Sequence, residues 1–211
     1  MRHCVGTAFR IVGLFLVAQF CIVHCLGSAA PARAQSAATP QEGAKREPAE
    51  KKAAPLKIAY GSDQLPPAVQ DMREAILSAV ASGNIEELRH AYELNELKPD
   101  LGGGPIADPI AYWRQISGDG AGLEILAILA GILDSGFVAL AQGRDVENAK
   151  VYVWPYFAEV PVAALSPAQE VELLRLVPPA MVREMKATGR YTYWRIAIGA
   201  DGTWHSFRRQ P

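Results

Sequence analysis

The sequence predicts an α+β domain: an N-terminal helical hairpin and a buried central helix packed on a small antiparallel sheet ending in a C-terminal β-hairpin. Three observations predict it. Val69, Met72, Ile76 and Val80 recur at helical spacing after Pro66-Pro67, with Gln70, Asp71, Arg73 and Glu74 opposite them. Short aromatic and β-branched runs crowd the C-terminal half, over 137–140, 151–154 and from Tyr191 onward. Within the last of them stands Ala200-Asp201-Gly202, where glycine reaches positive φ without strain, so the chain should close on a hairpin.

Taken in order, the first helix should stop at Gly83 and a second should start at Asn84. Glu87 stands three residues on, in capping-box spacing, with Ile85, Leu88 and Tyr92 as the apolar stripe and Pro99 ending the run. Residues 101–122, LGGGPIADPIAYWRQISGDGAG, predict a long irregular stretch with one helical turn around 111–115. Loops of that length inside a domain are often functional. The run 123–133 is apolar on most of its circumference and should be the central buried helix, capped by Gly136. Strands follow at 137–140 and 151–154, separated by the polar turn AQGRDVENA. Pro155 lacks a backbone donor and should end the second strand or hold it at an edge. Ser166, Pro167 and Gln169 form a capping-box start, with Val171 and Leu174 on the buried side and Leu173 and Val177 as further candidates. Pro178-Pro179 breaks that helix and opens a short one through Met181 and Met185 to Gly189. In the terminal hairpin Trp194, Ile196 and Ile198 share one face, and Tyr193 and Arg195 the other.

The first residues read as an address. Arg2 and Arg10 precede the apolar run IVGLFLVAQFCIVHCLGSAA, and Ala32-Arg33-Ala34 places small side chains at −3 and −1. This predicts a signal peptide over 1–34, cut between Ala34 and Gln35, and a periplasmic or secreted protein with no membrane span after cleavage. An uncleaved anchor is the rival reading, because the run nears spanning length; Gln19 and His24 interrupt it. His24 before Cys25 and Phe20 before Cys21 argue against lipidation. All three cysteines, Cys4, Cys21 and Cys25, leave with the leader. The mature chain then has no disulfide, no thiol nucleophile and no thiolate metal site. Residues 35–55, rich in Ala, Pro, Glu and Lys, hold no large apolar side chain to offset ordering entropy and read as a disordered linker. The remaining 156 residues, 56–211, suit a single domain.

Composition and motifs exclude several chemistries. The chain carries 21 basic and 22 acidic residues; without Arg2, Arg10 and Arg33 the balance is 18 to 22, a net of −4. Nucleic-acid partners call for a basic patch, so none is expected. His90 and His205 lack metal-ligand spacing, no serine sits in G-x-S-x-G, and Gly102–Gly104 and Gly118–Gly122 lack the phosphate-loop ending. Ser117, Asp119 and Gly122 fit a calcium loop in part, but Ala121 and Ile128 stand where ligands are required. No catalytic residue, metal or cofactor is therefore assigned. The aromatic residues are the remaining signal. Trp154, Tyr156, Tyr193, Trp194, Arg195 and His205 form the candidate binding set, able to stack on sugars or grip an extended peptide. The competing reading is that these rings fill the core.

At YVWPYFAEVP, LSPAQEVELLRLV and IAIGADGTWHSF the chain resembles a group of exported proteobacterial proteins of unassigned function. Its opening helix, the ASGNIEEL corner and the final DGTW strand are similar to NTF2-like domains, which implies a pocket between sheet and helices. The expected function is an exported, non-catalytic periplasmic module binding an envelope component, protein or glycan. The alternative is an NTF2-like small-pocket carrier or enzyme, with Asp108, Arg114, Glu159 and His205 as the groups to suspect. A ligand-sized void between the 123–133 helix and the terminal hairpin would favour the alternative.

Overall fold

The computed structural model describes residues 56–142 and 150–211. The predicted signal peptide 1–34, its Ala34/Gln35 cleavage point, the linker 35–55 and most of the 141–149 turn lie outside the described residues. The described chain is α+β. Strands β1 (Ile58–Ala59), β2 (Phe137–Ala141), β3 (Lys150–Trp154), β4 (Trp194–Gly199) and β5 (Trp204–Arg209) form one antiparallel sheet in sequence order. Helices α1 (Pro67–Ser82), α2 (Leu88–Glu93), α3 (Pro109–Ile116) and α4 (Leu123–Asp134) precede β2. Helices α5 (Pro167–Leu176) and α6 (Pro179–Thr188) fall between β3 and β4.

Strand alternation sorts the side chains onto two faces. Phe137, Tyr152, Trp154, Trp194, Ile196, Ile198 and Phe207 join Trp204 in one apolar cluster with α1, α2, α3 and α4. Val138, Val151, Val153 and Ala197 face the other way, onto Leu173 and Val177, Val182 and Met185 of α6, and the rings of Tyr156, Phe157 and Tyr191. Helices therefore cover both faces. The shared face expected for Trp194, Ile196 and Ile198 is observed. Within that cluster Trp113 stacks on Trp204 at 6.0 Å, and Trp194 on Phe207 at 4.7 Å. α4 buries Ile125, Leu126, Leu129, Ile132 and Leu133, each such side chain worth about 1.5–3 kcal/mol.

Local chemistry explains where the elements depart from expectation. α3 is a full helix rather than one turn, because Asp108 accepts from the N–H of Ile110 at 3.0 Å and Pro109 takes the first position. Asn84 accepts from Glu86 N rather than pairing reciprocally with Glu87, so the chain passes through a 3₁₀ turn, Ile85–Glu87, before α2. α2 ends well before Pro99. Buried Asn95 donates to the carbonyls of Ala91 and Tyr92 and accepts from Trp204 N at 2.6 Å, tying the helix end to β5. Ser135, not Gly136, follows α4 as its cap. Gly136 serves close approach instead: a Cβ there would lie 2.8 Å from the Tyr60 ring and 2.9 Å from that of Tyr156. Along α5 the capping box of Ser166 and Gln169 is present, but Val171 and Leu174 are 62% and 44% exposed. Leu173 and Val177 carry the buried side. Both pairs satisfy helical spacing, and only the position of the sheet chooses between them.

Candidate functional site

The structure separates the six residues that the sequence grouped as a binding set. Trp154 and Trp194 are buried among the helices of the first face, and Tyr156 is buried on the second. Tyr193 is half-buried, with the Arg209 guanidinium 6.0 Å from its ring centre. Arg195 pairs with Glu159 at 3.2 Å, the two side chains being 18% and 23% exposed. Burial holds this guanidinium below its ordinary range, against the opposing pull of Glu159. His205 is half-buried at the irregularity in the β4–β5 register, beside Lys98 and Thr203. Since helices lie over both sheet faces, these rings pack the interior and present no continuous stacking surface.

The four groups suspected for a pocket are likewise dispersed. Asp108 caps α3 and meets Arg89 at 3.3 Å, and Arg114 meets Glu86 at 2.9 Å, which ties α2 and the 3₁₀ turn before it to α3 at the surface. The N–H of Ala111, then that of Ile110 and the Arg89 charge, hold the Asp108 carboxyl below its usual range although desolvation opposes them. Glu159 belongs to the Arg195 pair on the second face, and His205 to β5. Between α4 and the β4–β5 hairpin, Ile125, Leu129, Ile132, Trp113, Trp194, Trp204 and Phe207 occupy the space as one apolar cluster.

Another arrangement gathers one of the six, Tyr156, with two residues that the sequence reading did not name, Tyr60 and Glu172. Tyr60 follows β1, Tyr156 follows β3, and both phenols reach Glu172 of α5. Tyr60 Oη donates to the carboxylate, 3.0 Å from Oε2, and Tyr156 Oη donates to Oε2 at 3.1 Å. The rings meet edge to face at 6.4 Å. Burial, with the nearby Tyr60 and Glu172, pushes the Tyr156 phenol far above its usual range, and burial with Glu172 raises Tyr60. Both phenols thus stay protonated and hold the carboxylate still.

Tyr60 and Glu172 edge a depression of about 170 Å³ that continues past Gly131, Asp134, Ser135, Arg175 and Leu176. A second depression of about 250 Å³, lined by Glu124, Ala127, Ile128 and Tyr193, shares Gly131, Arg175 and Leu176 with it. The two adjoin over the α4–α5 seam and are treated together as a groove. Its walls are single helical stripes: 124, 127, 128 and 131 from α4, and 172, 175 and 176 from α5. Asp134 and Arg175 pair across it at 3.1 Å with side chains 71% and 68% exposed. The groove offers carboxylate acceptors, a guanidinium donor, the 49% exposed Tyr60 and a small apolar floor. That is equipment for holding a ligand. The sequence did carry a signal, the small residues Ala127 and Gly131 one turn apart, with Ala130 beside them, on a helix rich in Leu and Ile. Among the described residues no group of three or more His, Cys, Asp or Glu is placed to hold a metal ion, and no helix is long and apolar enough to cross a membrane. No family model, curated protein or solved structure matches the chain.

Proposed function

We propose that the chain is exported and that its domain is a non-catalytic binding module of the cell envelope, holding a glycan or protein at the α4–α5 groove. The carrying observation is the contrast between a filled interior and a groove built outside it. Apolar side chains occupy both faces of the sheet, while Glu172, fixed by two phenols, stands at the surface with Arg175 and Asp134. Preformed polar groups beside a small apolar floor suit reversible recognition. Export is supported by the basic, apolar and small-residue order ending at Ala34. The small-pocket carrier stands second, because the space it would use is taken by Trp113, Trp194, Trp204 and Phe207.

The test has two arms in the native host. Intact mass of the periplasmic fraction should show a chain beginning at Gln35. A photo-crosslinker at exposed Ala127, in the groove, should yield a discrete adduct with an envelope component, whereas the same group at exposed Arg183 on α6 should not. A cytosolic protein retaining Met1 would remove the envelope role. Equal labelling from positions 127 and 183 would remove the groove.

A further inference from the structure

We infer that Gly131 keeps the groove open and that the groove takes a pyranose oligosaccharide; this deepens the binding reading above and rests on it. Glycine in a helix interior is a destabilising choice relative to alanine, so its presence asks for a cause. Positive φ is not the cause, since Gly131 has none. Tight packing is not the cause either. A Cβ at 131 would meet only Leu176 Cδ2, at an ordinary 3.5 Å, whereas one at Gly136 would come within 2.8 Å of a neighbour and one at Gly122 within 2.7 Å. The fold therefore tolerates a side chain at 131. The groove does not: Gly131 lines both depressions, and a branched side chain there would divide them.

The walls select the ligand class. Most of the lining comes from α4 and α5, whose backbone groups are bonded internally, so these walls offer an extended peptide no strand edge with which to pair. A hydroxyl-rich ring finds what it needs. Asp134 and Glu172 accept from hydroxyls, a carboxylate having about four acceptor positions, and Arg175 donates. The Tyr60 ring is held at its hydroxyl by Glu172 and at its edge by Tyr156, so it offers a pre-oriented surface to the C–H side of a pyranose. Tyr193 lines the adjoining depression, its ring already near the Arg209 guanidinium.

The experiment uses the protein purified from the envelope fraction, with chitotetraose, cellotetraose and a flexible decapeptide as probes in calorimetric titration. At least one tetrasaccharide should bind the wild type and the peptide should not. Gly131→Leu should weaken that binding about tenfold or more. Gly131→Ala should keep or raise the melting temperature, which a packing role for the glycine would reverse. Should Gly131→Leu not fold, Arg175→Gln carries the same demand, because its exposed ion pair contributes little to stability. Failure of both sugars to bind, peptide binding alone, or Gly131→Leu binding like the wild type each overturns the inference. A position-127 adduct without sugar binding leaves the binding module standing and removes only this ligand.

Discussion

The two faces of the sheet are built from different materials. The first is aromatic: Phe137, Tyr152, Trp154, Trp194, Trp204 and Phe207 project from the strands themselves, and Trp113 comes down from α3 to meet them. The second is aliphatic along the strands, with Val138, Val151, Val153 and Ala197, and takes its rings from connecting segments, Tyr156, Phe157 and Tyr191. The second face also holds a partly buried ion pair, Arg195 with Glu159. Four helices close over the ring-lined face, and α5 and α6 over the aliphatic one.

That contrast is sharpest in truncation. Trp204→Ala removes a ring in contact with Trp113 and Phe207 and should cost about 3–5 kcal/mol. Val153→Ala, equally buried on the second face, should cost less, within the roughly 1.5–3 kcal/mol that its full burial is worth. Urea midpoints of the two variants read the difference, and equal losses would erase the distinction between the faces.

Next in size is charge. Glu159→Gln leaves the Arg195 guanidinium mostly buried and opposite Arg208 in register, where like charges repel. Losing one partner of a fully buried pair costs about 3–5 kcal/mol, and the remaining solvent contact here brings the expectation to roughly 2. Asp134→Asn, in the exposed pair with Arg175, should change stability by less than about 0.5 kcal/mol. Comparable effects at both positions would mean that Arg195 finds another acceptor.

Alkali should find the second face first. Burial, with some repulsion from Tyr193, pushes the Tyr191 phenol far above its ordinary 10.0, and Tyr156 behaves alike. A phenol raised in the folded state contributes stability that is complete below 10.0 and declines as pH rises above it, because the unfolded chain ionises first. The melting temperature should therefore fall above pH 10, and Tyr191→Phe should flatten that fall. At neutral pH the same variant should lose about 1 kcal/mol, since Tyr191 Oη donates to the Trp194 carbonyl at 2.8 Å. An unchanged alkaline slope in Tyr191→Phe and Tyr156→Phe would show that ionisation elsewhere drives it.

The faces also differ in how legible they were. Periods of 3.6 and 2 reported α1, α4 and the alternation of β4, because burial acts on single elements before they meet. They could not report that helices lie over both sheet faces, which depends on where the chain returns after β3. The aromatic binding set failed to assemble for that reason: Trp154 and Trp194 were grouped as binding candidates with no knowledge of the helices that lie over them. β1, of two residues, has no period to read. The groove joins Tyr60 to Glu172, 112 positions apart, so neither segment announces it alone.

The layers differ at their helix starts as well. α5, over the second face, begins at Ser166 with its own side chain as cap, so Ser166→Ala should cost about 1 kcal/mol with no dependence on acid. α4, under the first face, begins at Gly122, which has no side chain to cap with. Asp119 acts from three residues upstream, accepting from the N–H groups of Ala121, Gly122 and Glu124. Desolvation pulls upward, but those N–H groups together hold its carboxyl below the usual 3.8. A carboxyl lowered in the folded state contributes stability that is present above 3.8 and lost as pH falls through its folded value. The melting-temperature gap between wild type and Asp119→Asn should hence close on acidification, while the Ser166→Ala gap should persist. A gap at Asp119 that survives strong acid would mean the residue acts through its shape in the turn, with its charge irrelevant to the start of α4.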